Sequence, residues 1–235
     1  TGQPMYMGLN DLRFAVVAGG LIAGTDAEKV SMQFNANGKR LGQWQAKLET
    51  ELRQRDEKWI LDSEAPVSGA LTASLPELQW LAAQLSAEFG LKGSLNVDAR
   101  IAGKMGKPTY RASVEGNGLE LAVASEGLLF PNGVLRAELT EKNIKLQQLR
   151  FSNKISFIPK LEQTRDLNWM GQEGEFTASG EINWLDNSGA IGMQWKKFPV
   201  LQRKDRWLVM SGDAKITQTD RLWSLAGKLG ADGAY

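Results

Sequence analysis

Two residue types are missing from this chain: it has no cysteine and no histidine among its 235 residues. Without cysteine it cannot form disulfides, thiolate metal sites or thiol nucleophiles. Without histidine it lacks the commonest general base near neutral pH and, together with cysteine, the ligands of most zinc sites. We therefore expect neither an enzyme nor a bound metal or cofactor. Catalysis would need paired carboxylates, a lysine base, or oxygen ligands for Mg²⁺ or Ca²⁺.

The chain also has almost no net charge. Its 28 basic residues nearly balance its 27 acidic residues, which leaves a formal charge of +1. The long-range field that draws proteins onto nucleic acid is therefore weak, and we expect no nucleic-acid partner. With 42% hydrophobic residues, the chain is nevertheless apolar enough to fold.

No hydrophobic run is long enough for a membrane span. The longest uncharged stretch, residues 14–24, is about half the length of a spanning helix. Its central Gly19-Gly20 predicts a turn between two short strands. The chain begins without a methionine and without a recognisable signal peptide, so we expect it to be a piece of a longer protein.

The sequence does contain 25 glycines, scattered among short runs in which apolar and polar residues alternate. The clearest run occupies residues 94–101, and a two-residue period of this kind indicates a strand with one buried face. Such runs recur often enough to predict about a dozen strands, joined as an antiparallel meander in an all-β fold. Asn96 and Arg136 should point to the polar face. The candidate apolar face consists of Leu95, Val97, Ala99, Ile101, Ala112, Val114, Leu135 and Leu139.

One segment breaks this pattern and predicts a single amphipathic helix. Ser74 and Glu77 can form a capping box at its start, and Gly90 can end it. The helix either packs on the sheet as a lid or docks a partner or a lipid. Its apolar side consists of Leu78, Leu81, Leu85 and Phe89. The predicted organisation is a β-rich part at 1–73, the helix at 74–90 and a second β-rich part at 91–235.

Three short segments have the composition of tight turns, because asparagine and glycine accept the positive φ that such turns require. The first two predict hairpins. The third begins like a dinucleotide-binding loop, but Leu121 stands where that loop has its last glycine, so we interpret it as a turn. The segments are Asn37-Gly38, Asn132-Gly133 and Gly116-Asn117-Gly118.

Pairs of acidic residues at strand spacing could supply the two carboxylates of a sugar-cleaving enzyme. Lysines and arginines nearby instead favour solvated charges at strand edges. The pairs are Glu173 with Glu175 and Glu49 with Glu51.

Residues 195–198 and 203–207 interleave aromatic and basic side chains. Such a patch suits the headgroup surface of a lipid layer, because aromatic rings and cations both favour that region. We nevertheless favour two ordinary strand ends, with extended lysines, on either side of a turn at Pro199. The alternation of residue types alone does not separate these two interpretations.

From Ser68 onward four kinds of segment follow one another. A strand leads into a leucine-proline-acidic helix, then into a Gly-x-Leu strand, and then into turns rich in glycine and proline. The segments are Ser68–Leu78, Gly93–Gly103, Lys107-Pro108 and Gly116–Leu121. Their order resembles the repeated unit of the TamB branch of the AsmA-like envelope proteins, well over residues 68–151 and loosely over 174–230.

The resemblance implies an elongated antiparallel sheet, curled into an open, taco-like trough with an apolar inside. It also implies a place in the periplasm of Gram-negative cells, as part of a protein anchored in the inner membrane. Members of the family are implicated in phospholipid transport to the outer membrane. With an Omp85-type, TamA-like barrel partner they are also implicated in outer-membrane protein assembly. The resemblance carries over no catalytic residue.

The alternation by itself leaves three folds open: a closed barrel, a stacked sandwich, or an open apolar concavity. An open concavity needs an apolar occupant. Combined with what the resemblance implies, this leads us to expect a groove that shields phospholipid acyl chains or unfolded outer-membrane protein segments. The alternatives are a structural or adhesive β-repeat scaffold that binds only proteins, and a carboxylate-dependent carbohydrate enzyme.

Overall fold

The computed structural model of the protein describes residues 9–21, 27–55, 58–85, 88–159 and 169–235. Within these ranges the chain forms thirteen strands and one short helix. The strand pairs are antiparallel, which confirms the predicted all-β class. In the same ranges no helix is both long and apolar enough to cross a membrane.

The strands follow one another as a meander. In chain order they are β1 (Leu9–Leu21), β2 (Ala27–Gly38), β3 (Gly42–Arg55), β4 (Lys58–Leu61), β5 (Pro66–Leu75), β6 (Phe89–Lys104), β7 (Lys107–Val123), β8 (Leu128–Thr140), β9 (Asn143–Lys154), β10 (Glu173–Asn183), β11 (Ser188–Gln202), β12 (Trp207–Thr219) and β13 (Leu222–Ala234). The helix α1 (Gln79–Leu85) lies between β5 and β6 in the chain. Hydrogen-bonded neighbours keep the chain order from β1 to β13, except that β4 pairs only with β3.

The chain divides into two compact units, which are described separately. Unit 1 comprises Thr1–Glu77, Leu95–Val114 and Leu139–Glu141. Unit 2 comprises Leu78–Ser94, Glu115–Glu138 and Lys142–Tyr235. Strands β6, β7 and β8 contribute residues to both units.

Unit 2 has an aromatic core at one end of strands β8 to β11. Leu201 of β11 pairs with Leu128 of β8, so the four strands close into a ring at this point. Each strand contributes one phenylalanine to the core: Phe130, Phe151, Phe176 and Phe198. The ring centroid of Phe130 lies between 5.1 and 5.8 Å from the other three. We call these four side chains the aromatic plug.

The predicted helix exists but is shorter than expected. It spans seven residues, whereas the sequence predicted residues 74–90. Ser74 belongs to β5 and is paired with both β3 and β6, so it does not cap the helix. Phe89 belongs to β6 and is 45% exposed, so it is not on a helix face. Both ends of the predicted helix belong to strands instead, because the sheet gives their backbone groups cross-strand hydrogen-bond partners.

Several segments predicted as turns lie inside strands. Asn132-Gly133 is part of β8, with Asn132 at φ 54°, and Gly118 has φ 58° within β7. Gly19-Gly20 lies within β1, between residues 18 and 21, where the register with β2 shifts. Positive φ marks strand irregularities as well as chain reversals, because an extra residue in one strand needs the same backbone freedom.

One of the predicted hairpins is confirmed, with its turn displaced along the chain. Gly38 pairs with Gly42, so the reversal between β2 and β3 is made by residues 39–41 rather than by Asn37-Gly38. One two-residue reversal was not predicted at all. Asp220 and Arg221 join β12 to β13 with φ values of 49° and 71°, the positive pair that a two-residue hairpin of the primed kind requires.

We expect Leu78→Asp to lower the free energy of unfolding by about 3 kcal/mol, because it buries a charge. Leu78 directly precedes α1 and is 2% exposed. Leu81→Asp should cost less, since Leu81 is only half-buried, and the side chain of Leu85 lies outside the described residues. Urea denaturation of each variant and of the unmodified protein measures the change in the free energy of unfolding. The matched control is Gln79→Asp at an exposed position, and an equal loss there would show that burial is not the cause.

Candidate functional site

The strand registers of unit 1 assemble an apolar face across β2, β3, β5 and β6. Residues directly opposite one another on neighbouring antiparallel strands project to the same side of a sheet. One row of such partners is Phe34, Ala46, Leu71 and Ala99. The adjacent row is Met32, Leu48, Gly69 and Ile101. Every side chain in these two rows is apolar.

A groove of about 270 Å³ lies along these two rows. The large side chains around it are half-buried rather than buried, among them Phe34, Leu48 and Leu71. Ordinary core side chains are more than nine-tenths covered, so this face is only partly filled by the protein's own atoms. The inward side chains along the groove are Met32, Phe34, Ala46, Leu48, Leu71, Ala99 and Ile101.

The opposite face of the same strands is polar. Asn96, Asp98 and Arg100 of β6 are exposed, whereas Val97 and Ala99 between them are half-buried. This difference confirms the alternation predicted for residues 94–101. Unit 1 therefore presents one apolar side and one hydrated side along β6, as the two-residue period requires.

The eight residues predicted for the apolar face are distributed over both units. Ala99 and Ile101 line the groove, and Leu95 and Val97 continue the same face along β6, opposite Leu75 and Ala73 of β5. Leu135 belongs to unit 2, where it lies beside Gly116 of β7. The half-buried members of the set that lie elsewhere in unit 1 are Ala112, Val114 and Leu139.

The prediction missed the groove residues of β2, β3 and β5. Phe34, Leu48 and Leu71 were not proposed as site residues, although each follows a two-residue period in its own strand. That period shows which side of a strand is apolar, but not which strands share a groove. The alternation that marks these residues was therefore visible in the sequence. What the sequence did not show was that β2, β3, β5 and β6 are neighbours in the sheet.

A second cavity in unit 1, of about 410 Å³, is lined by both polar and apolar residues and includes the predicted carboxylate pair Glu49 and Glu51. The Nζ of Lys47 lies 2.6 Å from Oε1 of Glu49. The hydrogen bond from Lys47 holds the pKa of Glu49 below its usual value. A general acid in sugar chemistry needs a raised pKa instead. Glu49 is therefore held in a solvated ion pair and does not suit the role of the general acid.

The second predicted carboxylate pair has a similar environment. The Nε of Arg150 donates a hydrogen bond of 2.6 Å to Oε2 of Glu175. Glu173 begins β10 and is exposed. Among the described residues, no group of three or more acidic side chains is placed to hold a metal ion.

Two of the three aromatic residues of the basic and aromatic patch are buried, whereas Trp195 is half-buried. Phe198 and Trp207 are 0% and 1% exposed, so neither can contact a headgroup. Trp207 joins a buried apolar cluster with Ile155 and Val209. Trp169 stacks on Trp207 at 6.3 Å between ring centroids. The geometry favours the interpretation of residues 195–207 as two strand ends. The turn predicted at Pro199 is wrong, because Pro199 lies within β11 and pairs with Val209, and the chain reverses at residues 203–206.

No protein-family model, curated protein or solved structure matches this chain. The resemblance to the TamB branch therefore depends on the order of the sequence segments alone. The functional argument depends on the apolar face of unit 1.

Proposed function

We propose that this chain is a periplasmic, β-rich part of a TamB-type protein for lipid transport and outer-membrane assembly. Its apolar face shields phospholipid acyl chains between the inner and outer membranes. The observation that carries the proposal is the groove of unit 1, whose large apolar side chains remain half-buried. An Omp85-type, TamA-like barrel partner belongs to the same proposal.

The chemistry of the groove favours acyl chains over unfolded polypeptide as its occupant. Each square ångström of apolar surface that an occupant removes from water contributes about 25 cal/mol. An acyl chain gains this term without losing hydrogen bonds. A peptide backbone placed against two rows of purely apolar side chains would leave donors and acceptors unpaired, which is costly. Unfolded outer-membrane protein segments are therefore the second choice of client.

A different observation supports the protein-binding scaffold as an alternative function. Strand β13 ends the sheet order, and its side chains from Leu222 to Ala231 are exposed. Trp223 and Leu225 on this strand are 60% and 71% exposed. An exposed apolar edge strand is a template for strand addition by another chain.

Photo-crosslinking in cells tests the lipid proposal with neighbouring residues as matched controls. A photoreactive amino acid at Val97 should capture phospholipid, because this position lies on the apolar face of β6. The same probe at Asn96, one residue earlier on the exposed face, should capture little. The pair Leu135 and Arg136 on β8 gives the same comparison in unit 2.

Capture of equal strength at Val97 and Asn96 would mean that the probe reports nearness to a membrane, and the groove proposal would fail. Absence of capture at both would favour the scaffold, whose partners are proteins. Because the paired positions differ by a single residue in one strand, expression, location and depth in the envelope are the same for both variants.

A further inference from the structure

Strand β13 has one edge that pairs with no other described strand. Its hydrogen-bonded neighbour in the sheet order is β12. The register between the two strands is unbroken from Leu222 to Ala231, so no bulge interrupts this part of the edge. Proline, bulges and repeated charges are the features that block pairing at natural edge strands. Residues 222–230 contain no proline and one charged residue, Lys228, so this edge is open to a further strand.

The large side chains of this edge are apolar and exposed on both faces of the strand. Trp223, Leu225 and Leu229 share one face, because they lie at a two-residue period. They are 60%, 71% and 49% exposed. Leu222, on the other face, is 76% exposed. A strand that covered these side chains would remove apolar surface from water, which is favourable.

The backbone groups of β13 that point away from β12 belong to every second residue. Thr219 and Leu222 flank the two-residue turn and form the first hydrogen-bonded pair of the two strands. Hydrogen-bonded and non-hydrogen-bonded pairs then alternate along an antiparallel ladder. The N–H and C=O groups directed outward are therefore those of Trp223, Leu225, Gly227 and Leu229.

This pattern matches its own reverse about Ala226. Two copies of β13 can run antiparallel with Ala226 of one copy opposite Ala226 of the other. Trp223 then lies opposite Leu229, and Leu225 lies opposite Gly227. Each of these pairs joins two residues with outward backbone groups, so both can exchange two hydrogen bonds. On this face every large side chain of one copy meets either an apolar side chain or a glycine of the other.

The other face of the strand selects the same register. Leu222 lies opposite Gly230, where an added Cβ would be 3.9 Å from the nearest described atom outside its chain neighbours. Lys228 lies opposite Ser224, whose hydroxyl can accept a hydrogen bond from the ammonium group. Registers centred one residue earlier or later would place Leu222 opposite Lys228 or Asp232. A register centred on Lys228 would place two cations opposite each other, which is destabilising.

We propose that the free edge of β13 is the interface of a homodimer, in which two copies of this chain join their sheets across a two-fold axis at Ala226. The partner is a second copy because the size, charge and backbone pattern of β13 are complementary to themselves, as a two-fold interface requires. A strand also satisfies the outward backbone groups, which an acyl chain would leave unpaired. The interface is short, so we expect the dimer to dissociate on dilution. The inference is independent of the lipid-binding proposal, which concerns unit 1.

Disulfide formation tests the register directly, because the chain has no cysteine of its own. Ala226→Cys brings the two thiols into a non-hydrogen-bonded pair, with about 4.5 Å between Cα atoms, a separation that a disulfide can span. We expect a linked dimer under mild oxidation. Ser224→Cys is the matched control on the same face, since its two copies would lie four residues apart, about 13 Å. It should link little alone but should link to Lys228→Cys when the two variants are mixed.

Analytical ultracentrifugation of the unmodified full chain measures the association itself. We expect the mass to rise with concentration from 25.8 kDa to twice that value. Leu225→Lys should weaken the association by at least about tenfold, because it removes an apolar contact twice in each dimer and places a charge at the interface. Leu185→Lys is the control, since it makes the same change at a leucine that is 67% exposed in the turn between β10 and β11.

Four results would overturn the homodimer. One is a chain that stays monomeric at every concentration. Another is equal linkage of Ala226→Cys and Ser224→Cys, which would indicate random collision. Species that grow beyond a dimer would show that β13 pairs with a different edge of the second copy. Equal weakening by Leu225→Lys and Leu185→Lys would place the contact elsewhere. None of these results changes the expected capture of phospholipid at Val97.

Discussion

Phe198→Ala should lower the free energy of unfolding by about 3–5 kcal/mol, the range for removing a buried phenylalanine ring. Phe198 is 0% exposed. Its ring stacks on Phe130 at 5.1 Å and lies 6.3 Å from that of Phe176. The pair Leu128 and Leu201 closes the ring of strands around the plug. The cavity that the alanine leaves therefore cannot easily collapse. Urea denaturation, followed by circular dichroism, measures the loss.

Phe89→Ala provides the control, because it removes the same atoms from a phenylalanine that is 45% exposed. We expect its effect to stay below about 1 kcal/mol, as for most surface substitutions. Phe198→Leu should fall between the two, since leucine fills part of the cavity. Similar losses for Phe198→Ala and Phe89→Ala would contradict the assignment of the plug as the core of unit 2.

Gly42→Ala should destabilise unit 1 by about 3 kcal/mol or more, because two costs act at one position. The φ of Gly42 is 76°, a left-handed conformation that costs an L-residue about 1–2 kcal/mol. A Cβ atom there would also lie 2.0 Å from the carbonyl oxygen of Ser74 and 2.8 Å from Cδ of Pro76. The first of these atoms is backbone, so relief requires separating β3 from the end of β5.

Gly171→Ala measures the cost of the left-handed backbone conformation without the steric contact. Gly171 has a φ of 78°, and a Cβ added there would meet no other heavy atom of the described residues within 4 Å. Its replacement should therefore cost only the backbone term, about 1–2 kcal/mol. The difference between the two unfolding free energies measures the contact at Gly42. Equal losses would show that β3 and β5 can separate at this point without penalty.

How much could be predicted from the sequence is clearest on β6. Residues 94–101 alternate, and the structure places Val97 and Ala99 on the covered side with Asn96 and Asp98 exposed. This prediction succeeds because successive side chains of a strand point to opposite faces whatever its neighbours are. The helix prediction failed at both ends for a non-local reason, since Ser74 and Phe89 gain strand partners that the local capping pattern does not reveal.

The groove and the plug show where sequence reasoning stops. Phe34, Leu48 and Ile101 come from three separate strands, and nothing in the spacing of each indicates that they meet. The glycines were misleading for a related reason: Gly118 and Gly133 lie inside strands and not in turns. A ring carbon of Phe151 would lie 2.4 Å from a Cβ at Gly133, a constraint that only the folded strands impose.

The sequence by itself determined the strand class, the absence of thiol and imidazole chemistry, and the apolar side of each strand, since all three depend on local composition and a two-residue period. Only the tertiary structure decided whether an apolar side is filled or left accessible. In unit 2 the pairing of Leu128 with Leu201 brings four phenylalanines together, and they cover one another. In unit 1 the same kind of alternation leaves a groove, because burial depends on which strands close around a face.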